Sequence, residues 1–243
     1  MTTFKHLVSI SYDFYEDSYE TNLKKLLDGI EKAKKGSIIL APELCLTNFS
    51  FDDMKKASDF GALALKEILE LSQDKLISFS LTTKRDKNYY NTAIICYNGK
   101  ILYQRDKYEL FKFGDEHKHF TKGNFEDLKI VEINGVRFAI LICFEIRFTK
   151  LWDKIRGADV ILIPALWGIL RKKQLEIISS SLAVINQAYV IVSNSKNLDM
   201  ASSSAIITPF GEEIRDDSKD FLEMDFEKSE IKKMRRYMDV GIV

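Results

Sequence analysis

The sequence predicts an α/β protein in which mixed β-sheets are buried between helices. Apolar, strand-like runs alternate with segments of helical spacing in the first and the last third of the chain. Between them, residues 88–143 hold paired strand-like runs, and each pair is joined at an Asn-Gly dipeptide. These runs are too continuously apolar to leave one face in water, which is typical of sheets covered on both sides.

The first third predicts strand, helix, strand, helix and strand. FKHLVSISY is the first strand, and Asp17 or Ser18 caps a helix that ends at Gly36. Apolar residues recur at helical spacing within this helix, at Leu23, Leu26, Leu27, Ile30 and Ala33. SIILAPEL is a short buried strand, a second helix carries apolar residues from Phe60 to Leu71, and LISFSLTT is the next strand.

The remaining elements are two hairpins and a second alternation. Asn98-Gly99 and Asn134-Gly135 predict hairpins, because both central residues of a type I′ turn need a positive φ. Helix and strand then alternate through LWDKIRG, ADVILIP, a long helix from about residue 170 to 186, AYVIVSN, SSAIITPFGEEI and DFLEMDF. No linker or repeat interrupts the pattern, so we expect one domain over residues 1–243.

Composition excludes several classes of partner. Of the 243 residues 46% are hydrophobic, and 36 basic side chains balance 36 acidic ones. A net charge of zero lacks the basic patch that nucleic acid or an anionic membrane surface requires. Apolar runs fall far short of the roughly 20 residues that span a bilayer, and the N-terminus lacks a signal-peptide core. We therefore expect a cytoplasmic protein without nucleic-acid or membrane partners.

The three prolines point to a site. Pro42, Pro164 and Pro209 each follow a strand-like run. Ligands of open α/β sheets bind at the carboxyl ends of strands, so these three points are the first places to search, although proline also simply punctuates loops.

Cys143 closes the run VRFAILIC, so a buried strand delivers a thiol to its own end. The three cysteines, at positions 45, 96 and 143, form neither a disulfide framework nor a metal pair, and a buried free thiol often serves only as a small hydrophobe. A nucleophilic thiol needs a base or a cation nearby. A nucleophile elbow is poorly supported, because Leu141 and Glu145 stand where glycines flank such an elbow.

Carboxylates and an ammonium group follow other strands. Glu43 comes after Pro42, and Lys107 follows the strand ILYQRD. At the same sheet edge as Cys143, Glu43 could take the thiol proton and Lys107 could stabilise an oxyanion. Each residue also has a simpler interpretation, as a helix cap or a solvated surface lysine. The imidazoles available for a Cys-His dyad are His6, which is expected to pack in the first strand, and His117 and His119.

The motifs around these residues resemble those of the nitrilase superfamily of carbon-nitrogen hydrolases. The segments are APELCLTNF, YQRDKYELF and LICFEIRF, followed by GADVILIPALW, INQAYVIVSN and AIITPFGE, in the order and near the separations of that family. The resemblance extends to about residue 226. It implies a four-layer αββα sandwich of two mixed β-sheets flanked by helices, and subunits that pair into homodimers or larger assemblies.

The resemblance also implies roles for four residues. Glu43 is the general base, Lys107 stabilises the oxyanion, Cys143 is the covalent nucleophile, and Glu116 is a second glutamate that orients the lysine. Sulfur attacks an amide carbonyl, the backbone N–H of Phe144 helps to hold the oxyanion, and water hydrolyses the resulting thioester. The chemistry requires no metal and no organic cofactor.

The expected substrate is a small aliphatic amide. The segment DEHKHFTKGN is most similar to the omega-amidase branch, whose substrates are amides of short 2-oxo dicarboxylic acids. N-carbamoyl amine and deaminated-glutathione amidohydrolases are the nearest alternatives. A noncatalytic binding relative and a Cys-His amidotransferase subunit are rivals from other classes.

Several positions depart from the family pattern or have two interpretations. Glu109 stands where histidine is common, Thr208 where aspartate is common, the segment Leu182–Asn186 replaces Arg-Ala-x-Glu-Asn, and Ser202-Ser203-Ser204 replaces Gly-x-Ser. These departures bear on substrate class and on subunit packing. Four other residues remain to be located: Trp167 walls the pocket or packs in the core, Glu145 and Arg147 position the nucleophile turn or bind a substrate carboxylate, and Cys45 is expected to pack.

Overall fold

The computed structural model describes residues 3–14 and 18–242. Its strands are β1 (His6–Ile10), β2 (Ser37–Leu40), β3 (Leu76–Arg85), β4 (Asn88–Tyr97), β5 (Lys100–Asp106), β6 (Val131–Ile133), β7 (Val136–Ile140), β8 (Val160–Pro164), β9 (Tyr189–Ser193), β10 (Ala205–Ile207), β11 (Glu213–Arg215) and β12 (Phe221–Asp225). Its α-helices are α1 (Tyr19–Lys32), α2 (Met54–Glu70), α3 (Glu116–His119), α4 (Thr149–Lys154), α5 (Lys172–Asn186) and α6 (Lys228–Tyr237).

The strands form two mixed sheets of six strands each, in the orders β12-β1-β2-β3-β4-β5 and β11-β10-β9-β8-β7-β6. The central strands of each sheet are parallel: β1, β2 and β3 in the first sheet, and β7, β8 and β9 in the second. The outer strands pair antiparallel. Parallel central strands therefore send their carboxyl ends to one edge of each sheet.

Successive side chains of a strand face opposite sides of its sheet, and this alternation gives the fold its layers. In β2, Ile38 and Leu40 face a core shared with the second sheet, where they join residues such as Phe138 and Ile140. Ile39 points the other way, into a core with α1 and α2. On the far side of the second sheet, α5 packs against β9 and β10. The predicted αββα sandwich is thus confirmed.

The residues expected to begin and end α1 were correct at its start and wrong at its end. The Ser18 side chain caps α1 by accepting a hydrogen bond from the Thr21 backbone N–H, whereas the alternative cap Asp17 lies outside the described residues. The helix ends at Lys32, four residues before Gly36, which instead adopts a φ of 81° in the turn to β2. The expectation that Gly36 ends the helix was therefore wrong.

Both predicted hairpins are confirmed. Asn98-Gly99 joins β4 to β5, with φ angles of 49° and 73°. Asn134-Gly135 joins β6 to β7, with φ angles of 50° and 73°. Positive φ at both positions is the conformation that the Asn-Gly pair favours.

A polar seam joins the two sheets between β1 and β9. Ser9 and Ser11 donate hydrogen bonds of 2.8 and 2.6 Å to carbonyls of Val192 and Asn194. Ser193 and Ser195 donate in the opposite direction, to carbonyls at the end of β1. These bonds satisfy buried polar groups and fix the carboxyl ends of β1 and β9 against each other. Across residues 3–14 and 18–242, no helix has the length and apolar character needed to cross a bilayer.

Candidate active site

The carboxyl ends of strands from both sheets meet at one place. Glu43 follows β2, and its backbone N–H donates a 3.2 Å hydrogen bond to the carbonyl of Ala165, which follows β8 in the other sheet. Lys107 follows β5, which runs parallel to β3 because both pair antiparallel with β4. The site therefore lies where the two sheets bring their strand ends together.

Pro42 and Pro164 lie at this edge, but Pro209 does not. The strand β10 that precedes Pro209 runs antiparallel to β9, so its end lies at the opposite edge of the sheet. Pro209 is not among the residues that line the cavity described below. The expectation for this third proline was wrong because it assumed a parallel strand.

A buried cluster of charges occupies the meeting point. Lys107 Nζ donates to Glu43 Oε1 at 2.7 Å and to Glu116 Oε1 at 2.8 Å. Glu43 and Lys107 have no solvent-exposed surface, and Glu116 is 3% exposed. The other carboxylate oxygen of Glu116 accepts the backbone N–H of Phe111 at 3.2 Å. The cluster thus holds two carboxylates on one ammonium group away from water.

The electrostatic balance of this cluster favours a charged lysine. Burial alone lowers the pKa of Lys107, but Glu43, Glu116 and Cys143 together raise that pKa above its ordinary value. For Glu116, burial and the nearby Glu43 raise the pKa, against the opposing effect of Lys107. One ammonium group therefore does not fully compensate two desolvated carboxylates.

Asn91 belongs to the same cluster, although the sequence analysis missed it. It lies on β4, it is fully buried, and its Nδ2 donates to Glu43 Oε1 at 2.7 Å. Within the described ranges, Glu43 Oε2 is buried with no hydrogen-bond partner. The only sequence signal for Asn91 is an amide at the start of the apolar run NTAIICY.

Cys143 begins a 3-10 turn that spans Cys143–Arg147 and follows β7 by three residues. Its φ is 50°, in the left-handed region that non-glycine residues rarely adopt. A strand, a left-handed residue and a helical turn thus give Cys143 the backbone geometry of an elbow, although no glycine flanks it. Such strain persists only where the surroundings fix it.

The Cys143 thiol is 7% exposed, and its pKa lies well above the ordinary value. Burial is the largest cause, and the carboxylates of Glu43 and Glu116 add to it. Lys107 and the backbone N–H of Leu166 oppose the shift. The resting thiol is therefore protonated at neutral pH, so an attack on a carbonyl requires a base.

The turn is held from inside by Glu145. This carboxylate pairs with Arg105 through both oxygens, at 2.7 and 2.5 Å, and accepts the backbone N–H groups of Ile142 and Tyr108 at 2.7 Å each. Glu145 is fully buried and does not line the cavity. The sequence allowed two interpretations of Glu145. The geometry matches the one in which Glu145 positions the turn that begins at Cys143, and it does not match contact with a substrate carboxylate.

A cavity of about 300 Å³ opens over this cluster. Glu43, Glu116 and Cys143 lie in its wall. Aromatic side chains supply much of the remaining surface: Phe14, Phe49, Phe51, Phe111, Phe144 and Trp167. Trp167 and Phe144 therefore reach the pocket as expected. Cys45 also lies in the wall, where burial raises the pKa of its thiol to about 12.

Two arginines line the cavity, and only one of them was expected. Arg147 lies 5.0 Å from the centre of the Trp167 ring and donates to Gln174, and Arg171 lies 5.1 Å from the centre of the Phe111 ring. Burial and the neighbouring Arg171 lower the pKa of Arg147. Asp199 also lines the cavity, but among the described residues neither guanidinium forms an ion pair. The cavity is therefore lined by two guanidinium groups that have no ion-pair partner among the described residues.

The histidines lie outside the cavity. His6 contacts Asp225 at 3.2 Å on the far side of the first sheet, His117 is exposed, and the ring of His119 stacks on Phe51 at 4.1 Å. None of the three lines the cavity in the part of the chain that the structure describes. A Cys-His dyad therefore has no geometric support.

The departures from the family pattern do not line the cavity. Glu109 forms an ion pair of 2.7 Å with Lys150, and Thr208 lies beyond β10 with Pro209. In α5, Leu182 is buried and Ile185 is 58% exposed. Ser202 and Ser203 have φ angles of 53° and 52°, so two consecutive serines adopt the conformation that favours glycine.

Comparison with known proteins identifies the family. The sequence is 27% identical to a 2-oxoglutaramate amidase from Bacillus subtilis over 83% of this chain and 82% of that protein. It is 26% identical to the omega-amidase YafV from Escherichia coli over 79% of this chain and 76% of that protein.

Solved structures share the fold at lower identity. Nit3 from Saccharomyces cerevisiae, a member of branch 10 of the nitrilase superfamily, superposes with a TM-score of 0.83 at 17% identity, covering 97% of this chain and 94% of that one. An amidase from Nesterenkonia sp. gives a TM-score of 0.80 at 16% identity, with 98% of each chain covered. The profile of the carbon-nitrogen hydrolase family matches residues 9–223, and the chain therefore belongs to that family of hydrolases.

Proposed function

We propose that the protein hydrolyses the C–N bond of a small aliphatic amide through a thioester on Cys143, with Glu43 as base and Lys107 as oxyanion donor. The observation that carries this proposal is that a thiol and a carboxylate line the same cavity, and that the carboxylate of Glu43 is bonded from behind by the ammonium group of Lys107. Glu43 Oε2 is buried there and has no other hydrogen-bond partner among the described residues. A carboxylate oxygen left in this state is available to receive a proton.

The first half-reaction forms the thioester. Glu43 Oε2 takes the Sγ proton as the S–C bond forms, and the carbonyl electron pair moves to oxygen. Lys107 carries three N–H donors, of which Glu43 and Glu116 accept two, and the described residues leave the third for the oxyanion. The backbone N–H of Phe144 is the second donor. Collapse restores the carbonyl, breaks the C–N bond, and returns the proton from Glu43 to the departing nitrogen.

The second half-reaction releases the acid. A water molecule gives its proton to Glu43 as its oxygen attacks the thioester carbonyl, and the same two donors hold the new oxyanion. Collapse breaks the C–S bond, and the leaving sulfur recovers the proton from Glu43. Glu116 keeps Lys107 oriented through both steps, because it holds one of the three ammonium protons.

The two unpaired arginines favour an acidic amide. Arg147 and Arg171 face a cavity too small for a large substrate, and a carboxylate bound between them would receive charge-assisted hydrogen bonds. This geometry supports an omega-amidase-like substrate, the amide of a short dicarboxylic acid that carries a free carboxylate. The names of the relatives from Bacillus subtilis and Escherichia coli support the same class.

The homodimer and the single domain over residues 1–243 remain proposals. Val184 and Ile185 on α5, together with Met238 and Val240 beyond α6, line one apolar groove and are partly exposed. We propose that a second copy covers this groove. Light scattering coupled to size exclusion tests this directly, and Ile185→Lys is expected to shift the mass toward that of a monomer.

Ammonia release tests the proposed reaction. The panel consists of 2-oxoglutaramate, succinamate, neutral butyramide, an N-carbamoyl amine and a nitrile. We expect turnover of the acidic amides and none with Cys143→Ala. Arg171→Met should raise KM for the acidic amides about 10- to 100-fold while leaving butyramide unchanged.

The panel also separates the alternatives. Preference for the carbamoyl amine would identify that branch of the family. No product from any compound, with a folded protein, would contradict an amide hydrolase of this type and favour a binding relative. An equal effect of Arg171→Met on charged and neutral amides would refute the carboxylate-binding role.

A further inference from the structure

Asn91 connects the two residues that the proposed reaction uses as base and as oxyanion donor. Its side-chain Nδ2 donates to Glu43 Oε1 at 2.7 Å, and its backbone carbonyl accepts the backbone N–H of Lys107 at 2.8 Å. Both bonds are buried, because all three residues are 2% exposed or less. A single residue of β4 thus fixes the carboxylate and the start of the segment that carries the ammonium group.

The two donors on Glu43 act on the same atom. Asn91 Nδ2 and Lys107 Nζ both bind Oε1 at 2.7 Å, whereas Oε2 has no partner in the described part of the chain. Hydrogen bonds to one oxygen stabilise negative charge there and fix the plane of the carboxylate. The other oxygen therefore receives no hydrogen bond from the described residues.

The chemistry of an amide suits this position. An amide donates without adding a second positive charge, so it does not compete with Lys107 for the oxyanion. Packing alone would favour an apolar side chain, since Ala93 and Ile95, which follow Asn91 on the same face of β4, belong to the apolar core between the sheets. Asn91 Oδ1 is moreover buried without a partner among the described residues, which is a cost that packing does not explain.

We propose that Asn91 is a positioning residue that makes Oε2 of Glu43 the proton-accepting atom. The inference deepens the proposed function and rests on it. Without the Asn91 donor, the carboxylate of Glu43 is free to rotate about its terminal bond, and the two oxygens exchange their places between Lys107 and the thiol. Binding of the substrate carboxylate by the arginines does not depend on this orientation.

The test compares Asn91→Leu with a matched control, Thr82→Val. Leucine has the same number and branching of side-chain heavy atoms as asparagine but cannot donate. Thr82 is buried, lies directly across the β3–β4 ladder from Asn91, and has an Oγ1 without a partner in the described residues. Valine therefore removes a neighbouring polar group that neither lines the cavity nor bonds to Glu43. Asn91→Leu should lower kcat about 10- to 100-fold with KM changed less than about threefold, whereas Thr82→Val should leave both within about twofold.

The pH profile supplies a readout that a packing defect would not move. Loss of a donor to the carboxylate should shift the acid limb of kcat toward higher pH in Asn91→Leu and not in Thr82→Val. If Asn91→Leu does not fold, as judged by its thermal transition, Asn91→Ala is measured against the same criteria. A kcat and an acid limb equal to those of the control would overturn the proposal.

The outcome is separable from a failure of the proposed reaction. Glu43→Gln is measured alongside with the same amide. If Glu43→Gln retains turnover, the mechanism itself is wrong. If Glu43→Gln is inactive while the Asn91 variant matches Thr82→Val, only the positioning role fails.

Discussion

Two buried clusters, each of which contains both acidic and basic side chains, lie side by side in this molecule, and they differ in how completely their carboxylates are hydrogen-bonded. Arg105 and Lys107 are two residues apart at the end of β5, and Glu145 follows Cys143 by two residues in the same turn. In the Arg105–Glu145 pair, both carboxylate oxygens receive hydrogen bonds from a guanidinium and from backbone N–H groups. In the Lys107 cluster, one carboxylate oxygen of Glu43 is left without a partner among the described residues.

The pKa values of Glu145 and Glu116, one carboxylate from each cluster, also shift in opposite directions. Burial alone raises the pKa of Glu145, but Arg105 and the backbone N–H groups hold it below its usual range. Burial and Glu43 instead raise the pKa of Glu116 despite Lys107. A carboxylate whose pKa is lowered in this way stays charged, whereas Glu116, which shares one ammonium group with Glu43, takes up a proton more readily. Neighbouring ion pairs of similar burial can therefore serve structure in one case and reactivity in the other.

Glu43→Gln is the substitution with the largest expected effect. It removes the proton acceptor and keeps the volume, so the rate of amide hydrolysis should fall about 10²- to 10⁴-fold while the thermal transition changes little. Ammonia release and thermal unfolding measure the two quantities. His117→Gln and His119→Phe serve as controls and should remain within about twofold of the unmodified protein, since neither ring lines the cavity. Greater losses in the controls would revive the Cys-His alternative.

Glu145→Gln should behave in the opposite way and lose mainly stability. It leaves the Arg105 guanidinium buried without its anion, which costs about 3–5 kcal/mol of unfolding free energy. Urea titration measures this loss. Glu109→Gln is the control, because its ion pair with Lys150 is partly exposed and its loss should lower the stability much less than the loss of Glu145. Unchanged stability with a large loss of kcat would mean that Glu145 acts on the reacting groups, and the contrast between the two ion pairs would not hold.

The sequence predicted some members of the buried clusters and missed others. Glu43, Lys107 and Cys143 were predicted because each follows a strand, and parallel strands end at a common edge. Arg105 looked like one residue of an ordinary edge strand, since its burial depends on Glu145, which lies 40 residues away in sequence. Asn91 and Arg171 were missed for the same reason: nothing in their neighbouring residues indicates the side chains that they meet.

Backbone conformation was predicted only where the residue type favours it. The Asn-Gly turns were recognised because asparagine and glycine tolerate a positive φ. At Cys143 and at Ser202 and Ser203 the same region of φ is occupied by residues that do not favour it. Long-range contacts help to hold them there: Arg105 binds Glu145, which accepts the backbone N–H of Ile142 beside the cysteine, and Ser203 donates to Glu176 at 2.9 Å. Such contacts are invisible in a local pattern.

Alkylation of Cys143 at different pH values sharpens the contrast between the two clusters. Burial, Glu43 and Glu116 raise the pKa of the thiol, and Lys107 does not compensate them. An acid with a raised pKa is protonated over a wider range, so the thiolate fraction should rise about tenfold for each pH unit from 7 to 9. The rate of iodoacetamide labelling, followed by mass spectrometry with Cys143→Ala as control, should therefore keep rising over this range. A plateau below pH 7 would reveal a preformed thiolate–ammonium pair, in which Lys107 fully compensates the sulfur and Glu43 has no proton to take.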